Sequence, residues 1–371
     1  MNAPGIKLTT YFSERDRTEH AFLADALLGL YEHHRMRISV LLRGAEGFGP
    51  HHGLQSDRLL SLSESLPAVA IAVDTRDRIE ALLPEVVPLT THGLLSLERA
   101  QLLTGAELQQ PQLPQPAVSG PGLKLTVYGG RGVRSAGQAG YVAAIELLRA
   151  SGAIGASILL AVDGTLHGER RRARFFARNA GVPLMLLALG DRDSLASALP
   201  GLAGLLEDPV VTIERVHVCK VEGALLSPPP LVAERDPSGL PVWQKLMVHA
   251  EEQARFDGHP LHVALIRRLR EAGAAGATVL RGVRGFYGER EPFADGILSL
   301  RRNVPVHVVI VDSPAAVQRW WPVVDEVTAA AGLVTSELVP SARHPGLGPE
   351  ALARPFDRGE RGLPVSPPVD L

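Results

Sequence analysis

The pentapeptide Lys7-Leu8-Thr9-Thr10-Tyr11 returns as Lys124-Leu125-Thr126-Val127-Tyr128, and its first two residues return again as Lys245-Leu246. Self-similarity at a fixed distance marks tandem modules, and it decides the folding unit before any single element does. Adding 238 aligns Ala26-Leu27 with Ala264-Leu265, Arg43-Gly44 with Arg281-Gly282, and Gly47-Phe48 with Gly285-Phe286. The same offset carries Leu60-Ser61-Leu62 onto Leu298-Ser299-Leu300, Pro67 onto Pro305 and Val73-Asp74 onto Val311-Asp312. The middle copy has drifted. An offset of 117 puts Gly47 on Gly164, and one of 116 puts Pro67 on Pro183 and Glu98-Arg99 on Glu214-Arg215.

The repeat divides the chain into a first module at 6–103, a linker at 104–122, a diverged second module at 123–221, a second linker at 222–242, a third module at 243–341 and a tail at 342–371. Both linkers are dense in proline, which favours semi-extended spacers. The tail is rich in Pro, Gly and Arg and is expected to be mobile.

Within one module, Lys7 to Phe12 reads as a strand, and Phe22, Leu23, Ala26, Leu27 and Leu30 fall on one face of a helix over 18–34. Ile38 to Leu42 is a second strand, ended by the turn-rich run from Arg43 to Pro50. A short helix is expected near 57–63, then a strand from Pro67 to Val73, a helix from Arg76 to Val86 and a closing strand at Leu94 to Glu98. The order strand, helix, strand, strand, helix, strand is the split βαβ arrangement, a four-stranded antiparallel sheet with two helices on one face. The runs Ile38 to Leu42 and Ala68 to Val73 are apolar on both faces, so the uncovered side of the sheet also needs a cover. The fold class expected is α/β of the α+β kind. Three tandem ferredoxin-like βαββαβ modules supply that cover to one another around a pseudo-threefold axis.

The totals set limits. Net charge of −2 and a pI near 6.7 supply no field for nucleic acid or an anionic membrane surface. A single cysteine, Cys219, excludes an internal disulfide framework and a cysteine metal cluster. The N-terminus lacks a signal-peptide core, and no apolar run reaches the ~18 residues of a membrane span. A soluble, cytoplasmic protein that is not membrane-embedded is expected.

The opening Lys-Leu-Thr-x-Tyr, the run Val-Leu-Arg-Gly-x-x-Gly-Phe at Val279 to Phe286 and Leu-Ser-x-Ser-x-x-Leu-Pro at Leu60 to Pro67 resemble the PII-like family catalogued as domain of unknown function 190. The resemblance covers all three modules and is weakest in the second. It implies a fold similar to the nitrogen-regulatory PII signalling proteins, here as a covalently linked trimer. It further implies a small anionic ligand or nucleotide in the clefts between modules. The loop between strands two and three would contact a protein partner, a membrane transporter or channel, with a link to ion (fluoride) homeostasis. The glycine- and lysine-rich loop that PII proteins carry before their last strand is replaced here by Ala330-Ala331-Gly332-Leu333, which argues against nucleotide binding in that mode.

The candidate ligand-binding residues lie after the second strand: Arg43, Gly44, Gly47 and Phe48 in the first copy, and Arg281, Gly282, Arg284, Gly285, Phe286 and Tyr287 in the third. Close glycines let backbone N–H groups approach a ligand, and arginines hold anions. Glycines that only make a tight turn beside solvated arginines are the other reading. The middle copy has Leu160 for Arg43 and Thr165 for Phe48, and carries instead the basic run Arg170, Arg171, Arg172 and Arg174. That run docks an anion, or it is the solvent face of a short helix with Phe175 and Phe176 inward; the second reading is preferred. Asp74, Asp191 and Asp312 are expected to cap helices. His33-His34 and His51-His52 lack spaced acidic or cysteine partners, so no metal site is assigned. No cofactor and no catalytic residue is assigned, since no hydrolase, Walker or dinucleotide signature is present. The chain reads as a non-enzymatic regulator, with an adaptor that binds nothing small as the alternative and a metal-binding protein or an interface enzyme further behind.

Overall fold

The computed structural model describes residues 4–49, 52–56, 66–91, 93–115, 122–173, 179–235, 241–289, 291–294, 303–339 and 341–343. The short helix expected near 57–63, Arg174 with Phe175 and Phe176, and the tail beyond 343 lie outside them.

Module one runs β1 (Pro4–Ser13), α1 (Leu23–His33), β2 (Ile38–Gly49), β3 (His52–Ser56), β4 (Pro67–Thr75), α2 (Arg76–Leu89) and β5 (Leu94–Thr104). Strand β1 pairs antiparallel with both β4 and β5, and β2 pairs with β4, giving the sheet order β5-β1-β4-β2. Module two repeats this with β6 (Leu123–Gly130), α3 (Gly140–Ala150), β7 (Gly155–Leu160), β8 (Asp163–Leu166), β9 (Glu169–Arg170), β10 (Pro183–Gly190), α4 (Arg192–Leu205) and β11 (Glu207–Arg215), extended by β12 (His217–Val221). Module three follows with β13 (Trp243–Glu251), α5 (Leu261–Glu271), β14 (Ala277–Arg281), β15 (Arg284–Tyr287), β16 (Phe293–Ala294), β17 (Pro305–Asp312), α6 (Pro314–Val327), β18 (Leu333–Val339) and β19 (Ser341–Arg343). Three ferredoxin-like units in tandem are therefore present, as the order of elements predicts.

The doubly apolar strands bury both faces, and alternate residues go to different cores. Ala68, Ala70 and Ala72 pack with Leu27, Ile79 and Leu82 beneath the helices of module one. Their neighbours Val69, Ile71 and Val73 join Met185, Leu187, Leu189, Met247 and Val309 in a central core drawn from all three modules. A period of two along a strand makes this division unavoidable once both faces are covered. Trp320 and Trp321 are both core residues of module three.

Two expectations change. The turn-rich run after Leu42 is not a loop, because β2 continues through it to Gly49. Asp191 does cap its helix, accepting from the Ser194 N–H at 2.8 Å. Asp74 and Asp312 do other work: Asp74 accepts from the N–H of Arg37 at 2.8 Å, and Asp312 from the N–H of Ala275 at 3.0 Å and from Trp320 Nε1 at 3.2 Å. Both carboxylates pin the chain just before the second strand of their module. Thr75 and Ser313 occupy the N-cap positions instead.

Candidate functional site

The predicted ligand loops are strands that join modules. In module one, Gly44 to Phe48 pair with Leu280 to Ala277 of module three. In module three, Arg284 to Tyr287 pair with Ile158 to Gly155 of module two. In module two, Asp163 to Leu166 pair with Leu41 to Ile38 of module one. Each second strand thus receives the extension of a neighbour, and the ring closes. The glycines serve that approach: a Cβ at Gly285 would lie 2.5 Å from the Ala156 carbonyl oxygen, and one at Gly164 would lie 2.2 Å from that of Ser39. Phe48 and Phe286 are buried in the module cores. Gly44 and Gly282 sit on the same joints.

The arginines of these segments face carboxylates. Arg43 Nε lies 2.9 Å from Glu14, Arg281 Nε 3.0 Å from Glu252, and Arg284 Nη2 2.6 Å from Glu146 of helix α3. The basic run is handled alike. Arg170 donates to Asp163, at 2.6 Å from Nη2, and to Asp25 of helix α1 at 2.9 Å; Arg172 reaches Asp25 at 2.9 Å. Arg171 pairs with Glu169. Arg170 closes a β8–β9 hairpin and residues 171–173 are not helical, while the rest of the run lies outside the described residues; through Asp25, Arg170 and Arg172 tie module two to module one.

A second ring closes at the last strands in the opposite sense. Gln101 to Thr104 pair with Ile213 to Val210 of module two, β12 pairs with β18 of module three, and β19 pairs with β5 of module one. On the axis inside this ring lie the lysines of the repeated opening. Lys7 and Glu98 are direct cross-strand partners, as are Lys124 and Glu214, and Lys245 and Glu337. Each lysine also reaches a second module. Lys7 contacts Glu98 at 2.8 Å and Glu214 at 2.5 Å; Lys124 contacts Glu214 at 3.0 Å and also Glu337; Lys245 contacts Glu337 at 3.1 Å and also Glu98. The six buried charges form one closed, neutral ring. Burial opposes ionisation of Glu98, but Lys245 and Lys7 outweigh it and hold the carboxyl well below its ordinary range. At Lys245 and Lys7 burial is likewise outweighed, by Glu337 and Glu98 in the first case and by Glu214 and Glu98 in the second, and both pKa values rise; at Lys124 burial wins and lowers it. The three carboxylates place oxygens within 4.8 Å of one another. Three ammonium groups already neutralise them, so the ring needs no cation to hold together.

The chemically distinctive cluster lies off the axis, between modules two and three. His249 of β13 stands directly opposite His307 of β17, with Nδ1 to Nδ1 at 2.8 Å. His307 Nε2 lies 2.9 Å from Ser157 Oγ of module two. Tyr287 packs on both imidazoles, with ring centroids at 5.8 and 6.3 Å. All four residues are buried. Burial, with the neighbouring His307 and Lys124 charges, holds the His249 pKa well below its ordinary value, and burial pushes that of His307 down to about 3. Both rings are therefore neutral near pH 7. Among the described residues His249 Nε2 has no hydrogen-bond partner. Beside it is a cavity of about 30 Å³ lined by His249, Tyr287, Glu222, Glu251, Ala331 and Gly332.

Tyr287 was among the residues singled out by sequence, whereas His249, His307 and Ser157 were not. The signal was available in the repeat: at offset 238 His249 falls on Tyr11 and His307 on Val69. In the first module Tyr11 faces Val69, and in the second Tyr128 faces Met185. The third module alone puts two imidazoles at this cross-strand pair.

Fold and site define a three-module α+β protein of ferredoxin-like units, closed by strand exchange around a pseudo-threefold axis, with one interface chemically unlike the others. A family model described as an uncharacterized ACR, domain of unknown function 190, matches residues 5–102, 122–218 and 243–341, and the chain belongs to that family. It is similar to a UPF0166 protein of Aquifex aeolicus, 32% identical over 75 residues, which is 20% of this chain and 71% of the relative. A UPF0166 protein of Methanocaldococcus jannaschii is 32% identical over 89 residues, 24% of this chain and 82% of the relative. Each alignment is about one module long. Among solved structures, aspartate kinase from Synechocystis aligns with a TM-score of 0.25 at 11% identity, over 92% of this chain and 44% of that one, a likeness too slight to carry an argument. Among the described residues no helix is long and apolar enough to cross a membrane.

Proposed function

We propose that the chain is a non-enzymatic, PII-like regulatory protein of the cytoplasm that binds a small ligand in the cleft between modules two and three. The observation that carries this is the cavity beside His249, whose buried Nε2 has no partner among the described residues, at a cross-strand position where the sister modules have Tyr–Val and Tyr–Met pairs. An unsatisfied buried polar atom costs about 1–3 kcal/mol, and a ligand bonded to His249 Nε2 would offset that cost. The bound state is conveyed to a partner, a transporter or channel in this reading, through the connections between the second and third strands. A cavity of about 30 Å³ suits an ion or a water-sized molecule and is far below the ~300 Å³ that nucleotide-sized ligands need. The carboxylates already facing Arg43, Arg281 and Arg284 weigh against an anion on those segments.

The test is a thermal-shift screen of the full chain with divalent metals, fluoride, small acids and nucleotides. It is run beside the double variant His249→Tyr/His307→Val, which copies module one. At least one ligand is expected to raise the Tm of the parent and not of the variant. A screen in which both proteins respond alike to everything removes the cleft from the proposal.

One feature supports an adaptor as the second reading. Leu225, Leu226 and Leu231 are 50%, 57% and 83% exposed on a proline-rich segment. Gln318 Nε2, bonded to the Pro229 carbonyl at 3.2 Å, holds that segment in place.

A further inference from the structure

We propose that the joint between modules two and three is an acid-sensitive switch, in which the buried His249–His307 pair locks β15 onto β7 near neutral pH and releases it in mild acid. This rests on the histidine pair and its contacts, whatever fills the cleft beside them. The lock is a continuous chain of side chains across the joint. His249 and His307 stand directly opposite each other on β13 and β17, with Nδ1 to Nδ1 at 2.8 Å. His307 Nε2 meets Ser157 Oγ of β7 at 2.9 Å, and Ser157 also hydrogen-bonds the hydroxyl of Tyr287 on β15. Tyr287 stands opposite Gly155 in the β7–β15 pairing that closes the joint. Both imidazoles and the serine are fully buried.

The chain holds together only while both rings are neutral. A hydrogen bond between two Nδ1 atoms carries one proton, so one ring donates and the other accepts. One added proton puts a charge into the core, and a second sets N–H against N–H at the same contact. The surroundings oppose both. Leu333 of β18 faces His249, and Leu280 of β14 faces His307. Phe293 of β16 packs on Tyr287 with ring centroids 5.7 Å apart. Glu222 and Glu251 border the adjoining cavity, but Glu251 accepts from Asn303 Nδ2 at 3.1 Å. Burial, with the charges of His307, Lys124 and Lys245, holds the His249 pKa well below its ordinary value, and burial pushes that of His307 down to about 3. Modules one and two hold Tyr11–Val69 and Tyr128–Met185 at this cross-strand position, so the device belongs to the third module alone.

The sign follows from linkage. Opening the joint returns both histidines to their ordinary pKa of 6.5, so opening takes up protons. The closed joint is fully stable above pH 6.5 and loses stability as the pH falls from there towards about 3. Two protons shift the opening equilibrium by about 1,000-fold between pH 7.5 and pH 5. The experiment is amide hydrogen exchange of the full chain, corrected for the intrinsic effect of pH on exchange. It follows residues 155–158 and 284–287, with 38–41 and 163–166 of the joint between modules one and two as reference. In the parent, protection at the first joint is expected to fall about 1,000-fold from pH 7.5 to pH 5, and at the reference joint less than about tenfold. His307→Val keeps one titrating ring and is expected to lose about 30-fold. His249→Tyr/His307→Val copies module one and is expected to stay flat. A parent joint insensitive to acid, a double variant that opens like the parent, or two joints that open together overturns the switch. Should the double variant not fold, an undiminished loss in His307→Val overturns it as well. The ligand screen run at pH 7.5, where the joint is closed, tests the cleft reading separately, so either can fail without the other.

Discussion

At the scale of the residue, the repeated lysine is the most informative side chain in the protein. It sits in a strand that is otherwise buried, where an ammonium group survives only with carboxylates around it. Here each of the three has one from its own module and one from a neighbour. A ring of this kind is weak evidence for stability as such, because desolvation offsets most of the attraction. Breaking it is another matter. Lys124→Met leaves Glu214 and Glu337 short of a counter-charge in the core, and a loss of about 3–5 kcal/mol in urea unfolding is expected. A loss under 1 kcal/mol would mean that water enters the axis. The repeat made Lys7, Lys124 and Lys245 visible in the sequence, and Glu98 and Glu214 with them. Their meeting was not visible, because side chains 207 residues apart, as Lys7 and Glu214 are, share no local pattern.

At the scale of the element, the second strands are longer than their apolar runs. Apolar periodicity ends β2 at Leu42, yet the strand extends to Gly49 because a neighbouring module supplies hydrogen-bond partners. Glycine spacing that reads locally as a turn or a ligand cradle is here the clearance for a backbone from another module. Gly164→Val tests this. The new Cβ would strike the Ser39 carbonyl, and the hydrogen bond from Thr165 N–H to Ser39 Oγ at 2.9 Å would be lost with the pairing. The expected cost is about 2–4 kcal/mol. Gly29→Ala is the control: it lies inside helix α1 with nothing near its missing Cβ, and a gain of about 0.5–1 kcal/mol is expected.

At the scale of the whole molecule, two rings of strand exchange run in opposite senses through the same three modules. No module keeps its second strand or its last strand to itself, so the three form a single cooperative unit. A chain carrying an engineered protease site within the linker at 104–122 is therefore expected to stay one particle by size-exclusion chromatography after cleavage. Its two fragments should separate only in denaturant. Separation under native conditions would show that the covalent link, and not the rings, holds the modules together. The closed rings also leave the three interfaces free to diverge, since each is formed by a different pair of sequences. The His249–His307 pair is such a divergence.

Element order, the threefold repeat and the burial of both sheet faces were determined by the sequence alone, because each rests on local periodicity or on internal identity. The roles of the glycines, the arginines and the repeated lysines were decided only by the tertiary structure. Each of those side chains takes its meaning from a partner in another module, and the distance along the chain to that partner carries no periodic signal. The opening Lys-Leu-Thr motif belongs to both accounts: its recurrence fixed the fold, and its lysine acquired a purpose only where three copies met.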